Sequence, residues 1–319
     1  MRLGVIGAGA WAIFAHLPAF AANEDVELSI VCRRDPERLR RVREHFGFEH
    51  MTTDWREVIA AKPDLVALTG PVHLRAEQAR AALDAGVHVL AEKPFTLTPA
   101  DAWDLVRLAH ERDRVLMLCY AWNEMGIVEQ ARRLLTSGGG VGRDEHVSVE
   151  LTTTVRDLLL EGRPYVELPL DSPPHPATWG DVATSGGGYA RAQLTLALGL
   201  LFRLLPSRAA DVTAFTAPGA GRMELHDAIV LRFDDGAIAT VSGAATPWGA
   251  FDDRHQLGVR ITGDHGQLLL DLDRPYLRLG RGGDDDTIVE LGPADTTWSF
   301  VPVVNRFVDL AAGHTAENR

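Results

Sequence analysis

Near its start the chain reads Arg2-Leu3-Gly4-Val5-Ile6-Gly7-Ala8-Gly9-Ala10-Trp11-Ala12, a short apolar strand followed at once by glycines and a helical pattern. The segment from Gly7 to Ala12 fits G-x-G-x-x-G/A, in which glycines let the backbone approach a pyrophosphate at a helix N-terminus. Its place directly between a strand and a helix makes the motif strong evidence for dinucleotide binding. We expect five residues at the cofactor: Gly7, Ala8, Gly9, Ala10 and Trp11.

Strands and helices continue to alternate after the glycines. The predicted strands are apolar runs at Arg2–Ile6, Glu27–Cys32, Asp64–Thr69, Val87–Ala91 and Val115–Tyr120, with a helical pattern between most of them. Near-continuous apolar runs are typical of parallel strands covered on both faces. The sequence therefore predicts an α/β Rossmann domain over residues 1–121 that binds a nicotinamide dinucleotide.

After Tyr120 the pattern changes to extended segments of alternating polarity, interrupted by a helical segment at about 189–205. This pattern predicts an α+β domain over residues 122–319 with an open, mainly antiparallel sheet. We expect this second domain to bind substrate and to carry the contacts of a homo-oligomer. Its apolar sheet face fits either a core under helices or a dimer surface.

The composition excludes several classes of partner. The 319 residues include 32 Lys and Arg against 44 Asp and Glu, and the resulting net charge of −12 disfavours nucleic acid and anionic membranes. No run approaches the roughly 20 apolar residues of a membrane span. Cys32 and Cys119 lie in apolar runs without disulfide or metal spacing. We expect a soluble protein of the reducing cytoplasm, with no metal site.

The end of the second predicted strand reads Cys32-Arg33-Arg34-Asp35. An acid in this region normally holds the ribose 2′-hydroxyl of NAD, whereas arginine forms bidentate, charge-assisted bonds to a 2′-phosphate. Arg33 and Arg34 therefore favour NADP. The alternative is that both arginines are solvated and Asp35 serves the ribose of NAD.

Glu92-Lys93-Pro94 follows the strand Val87–Ala91, at the carboxyl edge of the sheet where ligands of open α/β sheets bind. Pro94 disfavours the helical region for Lys93 and holds its backbone extended. We expect all three residues near the cofactor. Lys93 is placed to bind a substrate oxygen, to stabilise an alkoxide that develops during hydride transfer, and to transfer a proton if burial lowers its pKa.

The chain resembles the Gfo/Idh/MocA family over nearly its whole length. The resemblance rests on Gly7-Ala8-Gly9, on the stretch from Ala81 to Pro94 that ends in Glu92-Lys93-Pro94, and on Gly186-Gly187-Gly188 before a helix. Members are generally NAD(P)-dependent enzymes that act on sugars, cyclitols and related polyols, and they commonly associate through the second sheet. The resemblance implies that Lys93 is the catalytic or substrate-contacting lysine.

The family pattern also has an aspartate and a histidine four residues apart on the helix after the triple glycine, and this chain has Ala192 and Leu196 there. Neither can move a proton, so we expect Lys93 to be the principal polar catalytic group. A register shift of one makes Gln193 a substrate-binding candidate, and Tyr120 and Tyr189 are further candidates.

Three functions are compatible with this pattern. The first is interconversion of a secondary alcohol and a ketone on a carbohydrate-like substrate. The second is a reaction without net redox change, such as epimerisation, elimination or glycoside cleavage through a transiently oxidised cofactor. The third is cofactor binding without turnover. The resemblance also leaves open whether the chain is truncated, because members usually continue with another helix.

Three other polar segments carry weaker expectations. His175 lies in a proline-rich loop and is a minor substrate-site candidate, more often a solvated loop residue. The pair His226-Asp227 is expected to be a surface or interface feature. Asp284-Asp285-Asp286 lacks the spacing of a calcium loop and is expected to be a polar turn.

Overall fold

The computed structural model describes residues 1–163, 170, 178, 180–219, 223–250, 255–282 and 286–315. The chain divides into two compact units. The first contains residues 1–120, the described part of 162–186, and 299–315, and the second contains 121–161 and the described part of 187–298. The first break thus falls one residue from the predicted boundary, while the described part of 162–186 and residues 299–315 group with the first unit rather than with the predicted second domain.

The first unit contains a six-stranded parallel sheet with strand order 3-2-1-4-5-6. Its strands are β1 (Arg2–Ile6), β2 (Glu27–Cys32), β3 (His50–Thr52), β4 (Leu65–Leu68), β5 (His88–Glu92) and β6 (Leu116–Cys119). Every residue of β4 is buried, as expected for a central strand covered on both faces. The predicted doubly wound α/β fold is confirmed.

Helices follow the strands of this sheet. They are α1, a π-helical turn (Ala12–His16) that continues as Leu17–Ala21, then α2 (Pro36–Phe46), α3 (Trp55–Ala60), α4 (Val72–Asp84) and α5 (Pro99–Glu111). The bounds of α2 follow from local chemistry. Asp35 caps the N-terminus by accepting from the amides of Glu37 and Arg38, and Gly47 ends the helix at φ +80°.

The second unit contains an eight-stranded sheet with strand order 14-13-12-11-7-10-9-8. Its strands are β7 (Asp144–Thr153), β8 (Ala209–Pro218), β9 (Glu224–Phe233), β10 (Ile238–Ala245), β11 (Gln256–Gly263), β12 (Gly266–Asp271), β13 (Tyr276–Gly280) and β14 (Thr287–Ile288). All neighbouring pairs are antiparallel except β7 and β10. The predicted open, mainly antiparallel sheet is confirmed.

The remaining helices of the two units are mostly short. Among the described residues they are a 3₁₀ turn (Ala121–Glu124), α6 (Gly126–Thr136), α7 (Arg156–Glu161), α8 (Val182–Ser185), α9, a π-helical turn (Ala190–Leu194) that continues as Thr195–Leu204, then α10 (Pro293–Thr296) and α11 (Val301–Ala311). Side chains at the start of α9 pack on the inner face of the eight-stranded sheet, where Tyr189 and Leu194 lie over Gly243 of β10. Within the described residues, the longest apolar helices are too short to span a lipid bilayer.

Candidate functional site

The glycine turn lies at the carboxyl ends of β1 and β2. The amides of Gly7 and Ala8 both donate to the carbonyl of Cys32, at 3.0 and 3.2 Å, and the helix starts where the amide of Ile13 donates to Gly9. A Cβ atom added to Gly9 would meet nothing among the described residues nearer than the Gly7 oxygen at 3.7 Å. The turn therefore offers open backbone at a helix N-terminus, which fits the pyrophosphate of a dinucleotide.

The neighbouring loop requires glycine at position 7. Its φ is +98°, and a Cβ atom there would lie 2.3 Å from the backbone nitrogen of Gly70. Thr69 reinforces this approach, because its hydroxyl donates to the Gly7 carbonyl at 3.0 Å. The loops after β1 and β4 thus pack backbone against backbone.

The Arg33 side chain lies at the glycine turn. Its Nη1 donates to the carbonyl of Ala8 at 2.8 Å, and burial lowers the pKa of its guanidinium, an effect to which Arg38 adds. Arg34, the next residue, is exposed. Asp35 uses its carboxylate to cap α2, so the residue that would serve the ribose of NAD in the alternative interpretation already has backbone partners.

Glu92 is the centre of a buried hydrogen-bond network. One oxygen, Oε1, accepts from Trp11 Nε1 at 2.9 Å and pairs with His16 Nε2 at 2.7 Å, while Oε2 accepts from the Lys93 amide at 3.0 Å. Burial by itself raises the pKa of Glu92, but the His16 hydrogen bond and nearby positive charges lower it below its usual value. Glu92 is therefore held as a carboxylate that fixes the Lys93 backbone.

Lys93 is brought beside the end of the neighbouring strand. Glu92 is the register partner of Cys119 in β6, and Tyr120 follows Cys119 directly. Burial lowers the pKa of the Lys93 amine, and the negative charge of Glu92 opposes that effect. The predicted residues Glu92, Lys93 and Tyr120 thus share one edge of the sheet, and the Lys93–Pro94 peptide is cis.

Arg75 of α4 is a residue of this site that the sequence analysis missed. It is 4% exposed, and its guanidinium donates to the carbonyls of Glu92, Pro94 and Gly70, at 2.5 Å for Glu92 and 2.7 Å for Gly70. Burial lowers its pKa to about 10, opposed by the charge of Glu92. One buried cation therefore ties the Glu92-Lys93-Pro94 turn to the loop after β4.

Three potential metal ligands meet in the same place. Among the described residues, His16, Glu92 and Cys119 bring ligand atoms within 4.8 Å of one another. Both oxygens of Glu92 already accept hydrogen bonds, and the cationic Lys93 and Arg75 lie nearby. A metal ion bound by Glu92 would disrupt these hydrogen bonds and repel both cations, whereas His16 already pairs with the carboxylate at 2.7 Å.

In the second unit, α9 carries Ala192 and Leu196, the positions where the resemblance led us to expect a polar pair. Ala192 is buried and Leu196 is half-buried, while Gln193 is 5% exposed. Tyr189 is completely buried, and its hydroxyl donates to the Leu151 carbonyl at 3.0 Å. Burial raises its pKa above the ordinary range of a phenol. Tyr189 therefore packs the start of α9 against the sheet.

The weaker candidates are placed as follows. His175, Asp284 and Asp285 lie outside the described residues. His226 is exposed on β9, as expected of a surface residue, but the expectation for Asp227 was wrong, because this carboxylate is only 5% exposed on the opposite face. Successive side chains of a strand point to opposite faces of the sheet, so His226 is exposed on one face while Asp227 is buried on the other.

Comparison with known proteins supports this description. A family model described as "Oxidoreductase family, NAD-binding Rossmann fold" matches residues 1–120. A dTDP-3,4-didehydro-2,6-dideoxy-alpha-D-glucose 3-reductase from Streptomyces violaceoruber is 35% identical over 156 residues, which cover 49% of this chain and 45% of that protein. Levoglucosan dehydrogenase from Pseudarthrobacter phenanthrenivorans is 24% identical over 308 residues, which cover 86% of this chain and 74% of that protein.

Solved structures share the fold of the whole chain. Levoglucosan dehydrogenase in complex with NADH and L-sorbose aligns with a TM-score of 0.81 at 20% identity, covering 100% of this chain and 91% of that chain. GenD2 from gentamicin A biosynthesis, in complex with NAD, aligns with a TM-score of 0.78 at 23% identity, covering 100% and 88%. Residues 1–120 therefore match the oxidoreductase family with an NAD-binding Rossmann fold, and the whole chain shares its fold with these two structures.

Proposed function

We propose that the protein is an NAD(P)-dependent oxidoreductase that interconverts a secondary alcohol and a ketone on a sugar, cyclitol or related polyol. The observation that carries this proposal is the buried network at the carboxyl edge of the parallel sheet. Trp11 and His16 fix the Glu92 carboxylate, and Glu92 and Arg75 fix the turn that presents Lys93. Related proteins that act on carbohydrates by name support the substrate class.

Lys93 is the principal polar catalytic group in this proposal. The bound dinucleotide supplies hydride chemistry. The ammonium group of Lys93 binds the substrate oxygen and stabilises negative charge on it, and a pKa lowered by burial favours proton transfer at neutral pH. In the first unit, Tyr120, which follows the adjacent strand, is proposed to contact a substrate hydroxyl. In the second unit, Gln193 of α9 is a separate proposal for a substrate-binding residue.

NADP is the proposed cofactor, with NAD as the alternative. Arg33 donates to the glycine turn and the next residue, Arg34, is exposed, and both observations support the proposal that these two side chains bind a 2′-phosphate. Fluorescence titration with NADPH and NADH tests this proposal. We expect tighter binding of NADPH and a reversed preference in Arg33→Asp, whereas a clear preference of the unaltered protein for NADH would refute it.

The lysines of the chain provide a matched test of catalysis. The sequence contains two, Lys62 and Lys93, and each precedes a proline. We expect Lys93→Met to lower kcat/KM by about 100-fold or more, with dinucleotide affinity nearly unchanged and with Lys62→Met behaving like the unaltered protein. Candidate substrates are levoglucosan, L-sorbose, glucose and myo-inositol, followed by nicotinamide absorbance and by product analysis. Unchanged turnover in Lys93→Met would remove Lys93 from the mechanism.

The same assay separates the alternatives. Substrate conversion without a net absorbance change would favour epimerisation, elimination or glycoside cleavage. Dinucleotide binding without any conversion would favour a cofactor-binding protein, the interpretation that Ala192 and Leu196 support because neither side chain can transfer a proton.

The second sheet is proposed to form a homo-oligomer. Three apolar side chains on its outer face are exposed: Phe215 by 79%, Val230 by 51% and Ile238 by 46%. Phe215 and Val230 lie near each other on this face, because Phe215 of β8 is opposite Ala228 of β9 and Val230 lies two residues beyond Ala228 on β9. We expect a dimer or larger assembly by light scattering, weakened by Phe215→Glu. A monomeric unaltered protein would refute this proposal.

A further inference from the structure

A carboxylate interrupts the apolar inner face of the second sheet. The inward residues of β9 alternate through Leu225, Asp227, Ile229, Leu231 and Phe233, so Asp227 occupies a position where this pattern predicts an apolar side chain. It is 5% exposed, about as buried as its apolar neighbours. A carboxylate at a position where strand alternation predicts an apolar side chain is unfavourable for folding. Natural proteins retain such exceptions mainly at functional sites.

The described residues around Asp227 do not offset the cost of burying its carboxylate. Within the described part of the chain, neither carboxylate oxygen of Asp227 has a hydrogen-bond partner. Glu224, on the same strand, already accepts from the Gly188 amide at 2.7 Å and adds negative charge that further opposes ionisation of Asp227. The Tyr189 hydroxyl is directed to Leu151. The two buried carboxylate oxygens of Asp227 therefore lack hydrogen-bond donors, and burying unpaired acceptors costs folding free energy.

Asp227 also lies beside the π-helical turn Ala190–Leu194, which carries the substrate-binding candidate Gln193. Its cross-strand partner on β10 is Gly243, and Tyr189 and Leu194 of the α9 region lie directly over that glycine. A Cβ atom at Gly243 would be 2.6 Å from the Tyr189 ring. The inner sheet face at Asp227 and the π-helical turn Ala190–Leu194 are thus one local environment, in which positions 192 and 196 supply no polar group.

We propose that Asp227 is a substrate-binding residue whose two carboxylate oxygens accept hydrogen bonds from hydroxyl groups of a sugar or polyol. This inference rests on the proposed function for the class of ligand. A vicinal diol provides two donors that match the two acceptors of one carboxylate, and a buried position makes each such bond stronger than in water.

The test compares Asp227→Leu with a control on the same strand. Leucine fits the apolar row of Leu225 and Leu231, and His226→Ala changes the exposed neighbour on the opposite face. Calorimetric titration with levoglucosan and with myo-inositol, in the presence of NADPH so that no oxidation follows, measures sugar binding alone. We expect Asp227→Leu to weaken binding by about 10- to 100-fold, with NADPH affinity and circular dichroism unchanged, and His226→Ala to bind normally.

Each outcome decides the inference separately from the proposed function. Sugar binding by Asp227→Leu within twofold of the unaltered protein would overturn the role of Asp227, even if that protein oxidises the same sugar. Sugar binding that is lost in Asp227→Leu, in a protein that never reduces a dinucleotide, would support Asp227 and refute the redox proposal. Failure of the unaltered protein to bind either compound would overturn the inference.

Discussion

Replacing Arg75 by methionine tests whether one buried cation positions the Glu92-Lys93-Pro94 turn. Methionine keeps an unbranched apolar stem on the inner side of α4 but removes every donor to the carbonyls of Glu92, Pro94 and Gly70. In the variant these three carbonyl oxygens lose their guanidinium donor. We therefore expect the turn to relax and both stability and dinucleotide affinity to fall.

The size of the effect follows from two opposing contributions. Hydrogen bonds from a charged donor are worth about 1.5–3 kcal/mol each, although three bonds to one group are not additive. Against this, the variant no longer buries a guanidinium. The fall of its pKa from 12.5 to about 10 corresponds to about 3 kcal/mol of unfavourable burial at neutral pH. The net loss of unfolding free energy should be about 2–4 kcal/mol.

Urea denaturation and NADPH fluorescence titration measure this prediction. Arg80→Met is the matched control, because Arg80 lies on the exposed side of the same helix and the substitution is identical. We expect the control to differ from the unaltered protein by less than about 0.5 kcal/mol. Equal stability and equal NADPH affinity in the two variants would refute the reasoning.

Three further changes test single features. Gly7→Ala should cost more than about 2 kcal/mol of stability by urea denaturation, because its φ is +98° and the Cβ atom would contact Gly70; unchanged stability would show that the loop moves. Tyr189→Phe should cost about 1 kcal/mol through its lost hydrogen bond to Leu151, with KM unchanged, whereas a raised KM would indicate substrate contact. Burial, with Glu224, raises the pKa of Asp227 from 3.8 to about 6, so ionisation destabilises the fold as the pH rises from 4 to 6. Asp227→Asn should be more stable above pH 6 by up to about 3 kcal/mol, with the difference shrinking towards pH 4; a gain independent of pH would contradict this.

Much of the fold was predictable because local signals agreed. The predicted bounds of the strands Arg2–Ile6 and Glu27–Cys32 are those of the structure, since glycine follows the first apolar run and two arginines follow the second. The strand His50–Thr52 and the helix Trp55–Ala60 were missed. Each is a short stretch of regular structure, too short for a periodic pattern.

The candidate site was predictable where residues share a strand end. Glu92, Lys93 and Tyr120 follow neighbouring parallel strands, so topology alone brings them together. Arg75 was missed although a signal existed: it stands on the inward row of α4 with Val72, Ala79 and Ala82, where an arginine is out of pattern. Asp227 shows the same signal on a strand. What the sequence cannot supply is the identity of the atoms that each buried charge meets.

The contacts of Phe300 bear on how the protein is made. Its ring packs against Trp11 and His16, with ring centroids 5.7 and 4.7 Å away, so the layer beside the glycine turn is completed by a residue far along the chain. A ribosome adds about 5–20 residues per second, and residue 300 follows residue 120 by 180 positions. Phe300 is therefore synthesised on the order of 10–40 s after residue 120, and until then Trp11 and His16 lack the ring that packs against them. A fragment ending at residue 120 would keep that surface open permanently and should be prone to aggregation.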